Sequence, residues 1–209
     1  MGMESVSSLC TVITASYQGG TQHAIDVSLT LCASVKKLEG EISAADMEEL
    51  NDAVGHGILV LPELATAYCQ AVQHIVWDAG ADEQNRITAG VKTVELVLLA
   101  MRSHIKDEHT QYEGAWALGG LVDDNPGNLA GMLALGGLET LITSADIYIA
   151  SWDVQGSVCW ALFIMARDSV DGCAALRRSR AADVATRAKA LHPGISYRVD
   201  TLLSLLSTE

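Results

Sequence analysis

Phenylalanine and proline are scarce in this chain of 209 residues. It contains one phenylalanine, Phe163, and three prolines, Pro62, Pro126 and Pro193. Because large aromatic residues favour strands, their shortage disfavours an all-β fold. Proline interrupts helix interiors, so three widely spaced prolines permit long helices. Hydrophobic residues, mostly small or branched aliphatics, make up 49% of the chain. That share allows an extensive core and argues against general disorder.

Basic residues are also few, with 13 Lys and Arg against 26 Asp and Glu, for a formal net charge of −13. Such a surface repels phosphate backbones, so we expect no nucleic-acid partner and a preference for basic partners. One basic cluster stands out, formed by Arg177, Arg178 and Arg180 with Arg187 and Lys189. We interpret it as a solvated helix end that interacts favourably with the helix dipole.

Paired cysteine motifs and targeting segments are not apparent. The odd number of cysteines and the lack of CxxC spacing predict buried free thiols in a reducing compartment. No apolar run reaches the roughly 18 residues of a membrane span, and no basic region precedes an apolar N-terminal stretch. After Met1-Gly2, Val6 stands where a myristoylation motif requires Ser or Thr. We therefore expect an intracellular, most simply cytoplasmic, protein without a membrane span. The five cysteines are Cys10, Cys32, Cys69, Cys159 and Cys173.

Catalytic motifs are missing as well. The six histidines form no HExxH or Cys–His metal spacing. His104 and His109 flank a charged turn that we predict to be solvated. There is no glycine-rich phosphate loop, and no GxSxG nucleophile elbow occurs. The sequence predicts no enzyme activity, no cofactor and no metal site.

Helix signals run along the whole chain. Ser43 to Asp46 form a capping-box variant that opens a helix reaching Val54, and Pro62 suits the first turn of the next helix. No alternating strand pattern persists. Helices are predicted at 6–15, 21–38, 43–54, 62–77, 88–103, 109–122, 126–135, 137–144, 153–168, 171–191 and 194–206.

Two segments repeat at a distance of 44 residues. In the first, Gln111 is followed five residues later by Trp116-Ala-Leu, and in the second Gln155 is followed by Trp160-Ala-Leu. After the first come a turn containing Asn128, an apolar helix, then Gly136-Gly137 and another apolar helix. A fixed period of this length is typical of helical repeat proteins, in which neighbouring units share one core.

This order resembles the armadillo repeat, with departures. The segment from Asn85 to Gly90 is about four residues shorter than that from Asn128 to Gly137. The resemblance implies an all-α fold, a short right-handed α-solenoid (an armadillo-like superhelix) of about four to five repeats. It implies one domain over 1–209, with degenerate N-terminal helices at 1–56, the best-matching repeats at 57–178 and capping helices at 179–209.

The resemblance also implies a binding surface. In armadillo proteins the long helix that carries Trp116 and Trp160 lines a concave groove, and the importin-alpha family holds basic peptides there with Trp and Asn one turn apart. Here Gly120 and Ile164 stand at the Asn positions, so that use is doubtful. The rings could instead fill the core. The candidate partner-binding residues are Gln73, Trp77, Glu113, Trp116, Gly120, Trp160 and Ile164, with Glu113 and Asp153 expected near the groove rim.

Three functions remain open at this point. The leading hypothesis is a non-catalytic interaction module, an adaptor or scaffold that presents its solenoid surface to a protein or peptide. The alternative is a structural subunit built permanently into a large complex. A remote third is a HEAT-like metal enzyme, because Glu113-Gly-Ala-Trp is similar to repeats of deoxyhypusine hydroxylase and phycobilin lyases. The iron-binding His-Glu pairs of the hydroxylase are missing, since Tyr112 and Ser157 stand in their places.

Overall fold

The computed structural model describes residues 42–55, 57–77, 82–167 and 169–207, and this part of the chain is helical without a strand. The helices predicted at 6–15 and 21–38 lie outside the described residues, so the boundary at residue 56 stays a prediction. The described α-helices are α1 (Ala44–Val54), α2 (Pro62–Trp77), α3 (Asp82–Ser103), α4 (Glu108–Val122), α5 (Pro126–Ala134), α6 (Gly137–Ile147), α7 (Trp152–Arg167), α8 (Val170–Arg177), α9 (Ala181–Leu191) and α10 (Ser196–Ser207), with 3-10 turns at Gly57–Leu59 and Pro193–Ile195.

Capping side chains set several helix starts. The Ser43 hydroxyl accepts a hydrogen bond from the Asp46 backbone N–H at 3.1 Å, which confirms the predicted start of α1. Asp107 caps α4 in the same way. Asn125 caps α5, whose first residue is Pro126. These side chains satisfy N–H groups that have no partner inside the helix.

Two predicted helices have different bounds in the structure. The helix predicted at 88–103 begins earlier, at Asp82, and it is interrupted at Gly90, where φ is 63° and ψ is −176°. Glycine adopts this conformation with little strain. The single helix predicted at 171–191 is wrong, because α8 ends at Arg177 and α9 begins at Ala181. In the turn between them the Ser179 hydroxyl donates to the Leu176 carbonyl and accepts from the Ala181 N–H.

The long helices contact one another in chain order. Helix α2 packs on α4, α4 on α7, and α7 on α10, while α3 packs against α2, α4 and α5. One continuous core extends from Ile42 to Leu202. Leu118 and Leu121 of α4 are both fully buried in this core.

Polar contacts recur at the predicted period. Gln111 Nε2 donates to the backbone carbonyls of Met101 and His104 at 2.8 and 3.0 Å. Gln155 Nε2 donates to the two carbonyls 44 residues further along, at 2.7 and 3.0 Å. Each glutamine therefore fixes the end of the preceding helix against its own helix.

A second recurring contact joins consecutive turns. His104, Tyr148 and His192 are spaced by 44 residues, and each ring contacts a backbone carbonyl in the turn one period earlier. The carbonyls are those of Ile58, Ile105 and Ile149. His104 is consequently half-buried, whereas Lys106, Glu108 and His109 of the predicted solvated turn are exposed.

Buried asparagines make a third contact of this kind. Asn85 Oδ1 accepts from the Ile42 N–H at 2.8 Å, and Asn128 Nδ2 donates to the Arg86 carbonyl at 3.0 Å. Ile42 and Arg86 are themselves 44 residues apart. Satisfying these buried backbone groups ties neighbouring units together.

Candidate functional site

Three tryptophans from different helices form a row, here called the tryptophan row. Trp160 lies between the other two: its ring centroid is 5.2 Å from that of Trp77 at an interplanar angle of 60°, and 4.3 Å from that of Trp116 at 33°. Trp160 is buried, with 8% of its surface exposed, whereas Trp77 and Trp116 are half-buried. The structure thus brings together the three tryptophans proposed from the sequence, one in the core and two at its edge.

Two glycines of α4 make room for this row. A Cβ atom built on Gly119 would lie 2.6 Å from Cε3 of Trp160, and one built on Gly120 would overlap the ring of Trp77. Such approaches are far inside ordinary contact distances of about 3.5–4.0 Å. Gly120 therefore leaves the space that the Trp77 ring occupies, which explains why no larger residue stands at this position.

An arginine stacks on each end of the tryptophan row. The Arg86 guanidinium carbon lies 5.4 Å from the Trp77 ring centroid, and that of Arg198 lies 5.6 Å from the Trp116 ring centroid. Both distances are within the range of cation–π attraction. The row accordingly presents indole faces that accept guanidinium groups at both ends.

The two arginines are held differently. Arg86 also pairs with the buried carboxylate of Asp123 at 2.8 Å, and Arg167 pairs with the other oxygen of Asp123 at 2.6 Å. Arg198 is exposed, and it pairs with no carboxylate in the described part of the chain. Arg86 is thus fixed by a buried ion pair, while Arg198 is held by its contact with Trp116.

A cleft of about 370 Å³, here called the aromatic cleft, opens beside Trp116 between α4, α7 and α10. Two of its aromatic residues are largely exposed to solvent: Trp152 is 56% exposed and Tyr197 is 85% exposed. Its lining consists of Tyr112, Trp116, Trp152, Asp153, Gly156, Ser157, Gly194, Ile195, Tyr197 and Arg198.

The aromatic cleft carries one acidic and one basic group. Asp153 lies in the first turn of α7 and is exposed. Burial, followed by the negative charges of Glu113 and Asp153, raises the pKa of Tyr112 above its ordinary value. The phenol therefore stays protonated and neutral at physiological pH. The cleft has aromatic walls, a carboxylate at Asp153 and a guanidinium at Arg198.

The other residues proposed from the sequence lie elsewhere. Glu113 is 8% exposed and accepts a hydrogen bond from Gln70 at 2.8 Å, so it is more buried than a rim position implies. Ile164 is buried and lines a separate cleft of about 170 Å³ together with Pro126. Gln73 is half-buried on α2 and lines neither of these two clefts.

Sequence reasoning overlooked the residues that form the rim of the aromatic cleft. In the sequence Tyr112 stands out only as a replacement for a metal-binding histidine, and no motif marks Trp152, Tyr197 or Arg198. All four lie in the first two turns of consecutive long helices. The recurrence of aromatic and charged residues at these helix starts is the sequence signal that marks them.

The basic cluster near residue 180 is engaged in contacts within the chain. Arg180 and Arg187 both pair with Asp146. Burial raises the pKa of Asp146, but hydrogen bonds from Arg187 and Arg180 outweigh this and lower it. Arg177 donates to the last carbonyls of α10, and Lys189 pairs with Asp200. Through these contacts, four of the five basic groups of the cluster connect neighbouring helices.

Among the described residues, no group of three or more His, Cys, Asp or Glu side chains is placed to hold a metal ion. Among the same residues, no helix combines the length and apolar character needed to cross a membrane. Comparison with models of protein families and with curated proteins finds no match to this chain.

Proposed function

We propose that the chain is a non-catalytic interaction module with an armadillo-like solenoid fold, and that its aromatic cleft receives a peptide segment of a partner protein. The observation that carries the proposal is the cleft beside Trp116, in which the exposed rings of Trp152 and Tyr197 stand next to the charged groups of Asp153 and Arg198.

The ordered helix contacts support the solenoid. Helices α2, α4, α7 and α10 pack in sequence, and the glutamine, ring and asparagine contacts recur at about 44 residues. In a solenoid each unit contacts mainly its neighbours, so such a period is expected both along the chain and in space. Consecutive long helices then form one continuous face, and the aromatic cleft lies on that face.

The composition of the aromatic cleft supports peptide binding. Tryptophan, tyrosine and arginine are the residues that most often dominate binding energy at protein interfaces. The cleft volume of about 370 Å³ is near the lower end of ligand pockets, which begin at about 300 Å³. A space of this size suits one or two side chains of a peptide that continues over the neighbouring helices.

Site-specific photo-crosslinking tests the proposal. The full chain is expressed in its source cells with p-benzoyl-phenylalanine in place of Trp152, inside the cleft. In a matched control the same group replaces Val170 on α8, which is 86% exposed and outside the cleft. We expect a defined partner peptide, identified by mass spectrometry, to crosslink at position 152 and not at position 170.

Two other results would count against peptide binding in the aromatic cleft. Equal crosslinking to the same protein at positions 152 and 170 would indicate contacts over a broad surface, as in a subunit built permanently into a complex. Crosslinking at position 170 alone would place the interface on another face. Either result contradicts a peptide site in the aromatic cleft.

A further inference from the structure

The Trp116 face already binds a cation in this structure. Arg198 stacks on it at 5.6 Å and is exposed, without a carboxylate partner in the described residues. At the far end of the tryptophan row, Arg86 stacks on Trp77 and is fixed by Asp123. An exposed cation–π contact is weak, so the Arg198 guanidinium can be exchanged for another one at little cost.

The charge on the aromatic cleft favours a positively charged occupant once Arg198 moves away. The carboxylate of Asp153 lines the cleft, and no ion pair engages it within the described residues. The whole chain carries a formal net charge of −13, which steers basic partners toward it.

The groups that line the aromatic cleft favour arginine over lysine. A guanidinium is planar and can stack on an indole while it donates two parallel hydrogen bonds to one carboxylate. Trp116 supplies the indole and Asp153 supplies the carboxylate on the same cleft. The exposed rings of Trp152 and Tyr197 provide apolar surface for the methylene stem of the side chain.

Building on the proposed function, we infer that the aromatic cleft binds an arginine side chain of the partner peptide, and that Arg198 is its internal competitor. Without the partner, Arg198 covers the Trp116 face. When the partner binds, its guanidinium takes that face and pairs with Asp153, while Arg198 turns into solvent. The native chain consequently binds arginine more weakly than a chain without Arg198.

A titration with short peptides tests this inference. The probes are acetylated and amidated Gly-Arg-Gly, Gly-Lys-Gly and Gly-Glu-Gly, which carry no terminal charges. They are added to the full chain, and the indole N–H signals of Trp116 and Trp152 are followed by NMR. The variants are Arg198→Ala, Asp153→Asn and, as a control for net charge, Arg178→Ala, which removes an exposed arginine outside the cleft.

The inference predicts opposite effects for the two cleft variants. Arg198→Ala is expected to bind the arginine peptide about two- to fivefold more tightly than the native chain, the factor expected from an exposed cation–π contact. Asp153→Asn is expected to weaken that binding by a similar factor. Arg178→Ala is expected to bind as the native chain does, and the lysine peptide is expected to bind more weakly than the arginine peptide.

The inference is overturned if Arg198→Ala weakens arginine binding, or if the glutamate peptide shifts the indole signals and loses this effect in Arg198→Ala. Arg198 would then be a binding group for an acidic ligand. It is also overturned if none of the peptides shifts these signals in either the native chain or Arg198→Ala. The crosslinking at position 152 is a separate measurement, so a peptide without arginine captured there would refute this inference while the proposed function stands.

Discussion

Gly119 lies inside α4, and a methyl group added there would overlap the buried ring of Trp160. The built Cβ atom lies 2.6 Å from Cε3 and 2.9 Å from Cη2 of that ring. The ring cannot move freely, because it is packed between Trp77 and Trp116. Substitution Gly119→Ala therefore tests whether the close approach of α4 and α7 sustains the tryptophan row.

The expected change in the free energy of unfolding is the sum of opposing contributions. Alanine is more favourable than glycine by about 1 kcal/mol in a helix interior. Against this, overpacking a buried site costs about 1–3 kcal/mol, and each disturbed aromatic pair of Trp160 costs a further ~0.5–1.5 kcal/mol. Because Trp160 makes two such pairs, we expect Gly119→Ala to lower the free energy of unfolding by about 1–5 kcal/mol. For a chain of this size that lowers Tm by roughly 2–4 °C per kcal/mol.

Gly156→Ala is the matched control. Gly156 is also buried within a helix, but a Cβ atom built on it would meet only Ile195 at 3.7 Å, an ordinary contact. This variant gains the helix propensity without the overlap, so we expect it to be more stable than the native chain by about 0.4–1 kcal/mol. Urea unfolding followed by far-UV circular dichroism measures both variants, and tryptophan fluorescence reports the row itself.

A rescue experiment completes this prediction. Trp160→Leu removes the ring that the added methyl group would strike, so introducing Gly119→Ala into that variant should cost less than introducing it into the native chain. The double-mutant cycle isolates this difference. If Gly119→Ala stabilises the native chain as much as Gly156→Ala does, the packing described for α4 against α7 is refuted.

Two further predictions concern buried polar groups. Gln111→Met and Gln155→Met each remove two hydrogen bonds to helix-end carbonyls, so each should lower the free energy of unfolding by about 1–3 kcal/mol in urea titrations. Exposed Gln84→Met should change it by less than ~0.5 kcal/mol, and strongly unequal effects for Gln111 and Gln155 would contradict their equivalence. Burial raises the pKa of Cys159 to about 12. Because the unfolded thiol ionises near pH ~8.5, stability should fall above that pH, by about 2 kcal/mol at pH 10. Cys159→Ala should lack this component, and an unchanged pH slope in that variant would contradict the assignment.

Much of the helical architecture was predictable from local signals. The capping side chain of Ser43 and the first-turn position of Pro62 located the starts of α1 and α2 correctly. The shared Gln of the 44-residue period also marked equivalent contacts, as Gln111 and Gln155 show. Such signals act within a few residues, so they can be recognised in the sequence alone.

Predictions failed where a local turn or a distant contact was decisive. The helix predicted across 178–180 is divided there by a turn, in which the Ser179 hydroxyl donates to the Leu176 carbonyl and accepts from the Ala181 N–H. His104, which flanks the turn predicted to be solvated, reaches a carbonyl of the preceding turn that lies 46 residues earlier in the chain. A local pattern carries no information on which remote backbone group a side chain will contact.

The sequence by itself determined that the described chain is helical and that Trp116 and Trp160 recur at a distance of 44 residues, since both follow from spacing and composition. Only the tertiary structure decided what those residues form. Trp160 is buried because Gly119 lets α7 approach α4 closely. The aromatic cleft exists because Tyr112, Trp152 and Tyr197, about 40 to 45 residues apart in succession, meet where three long helices pack side by side. Spacing along the chain sets which face of a helix a residue occupies, but helix packing sets which faces meet.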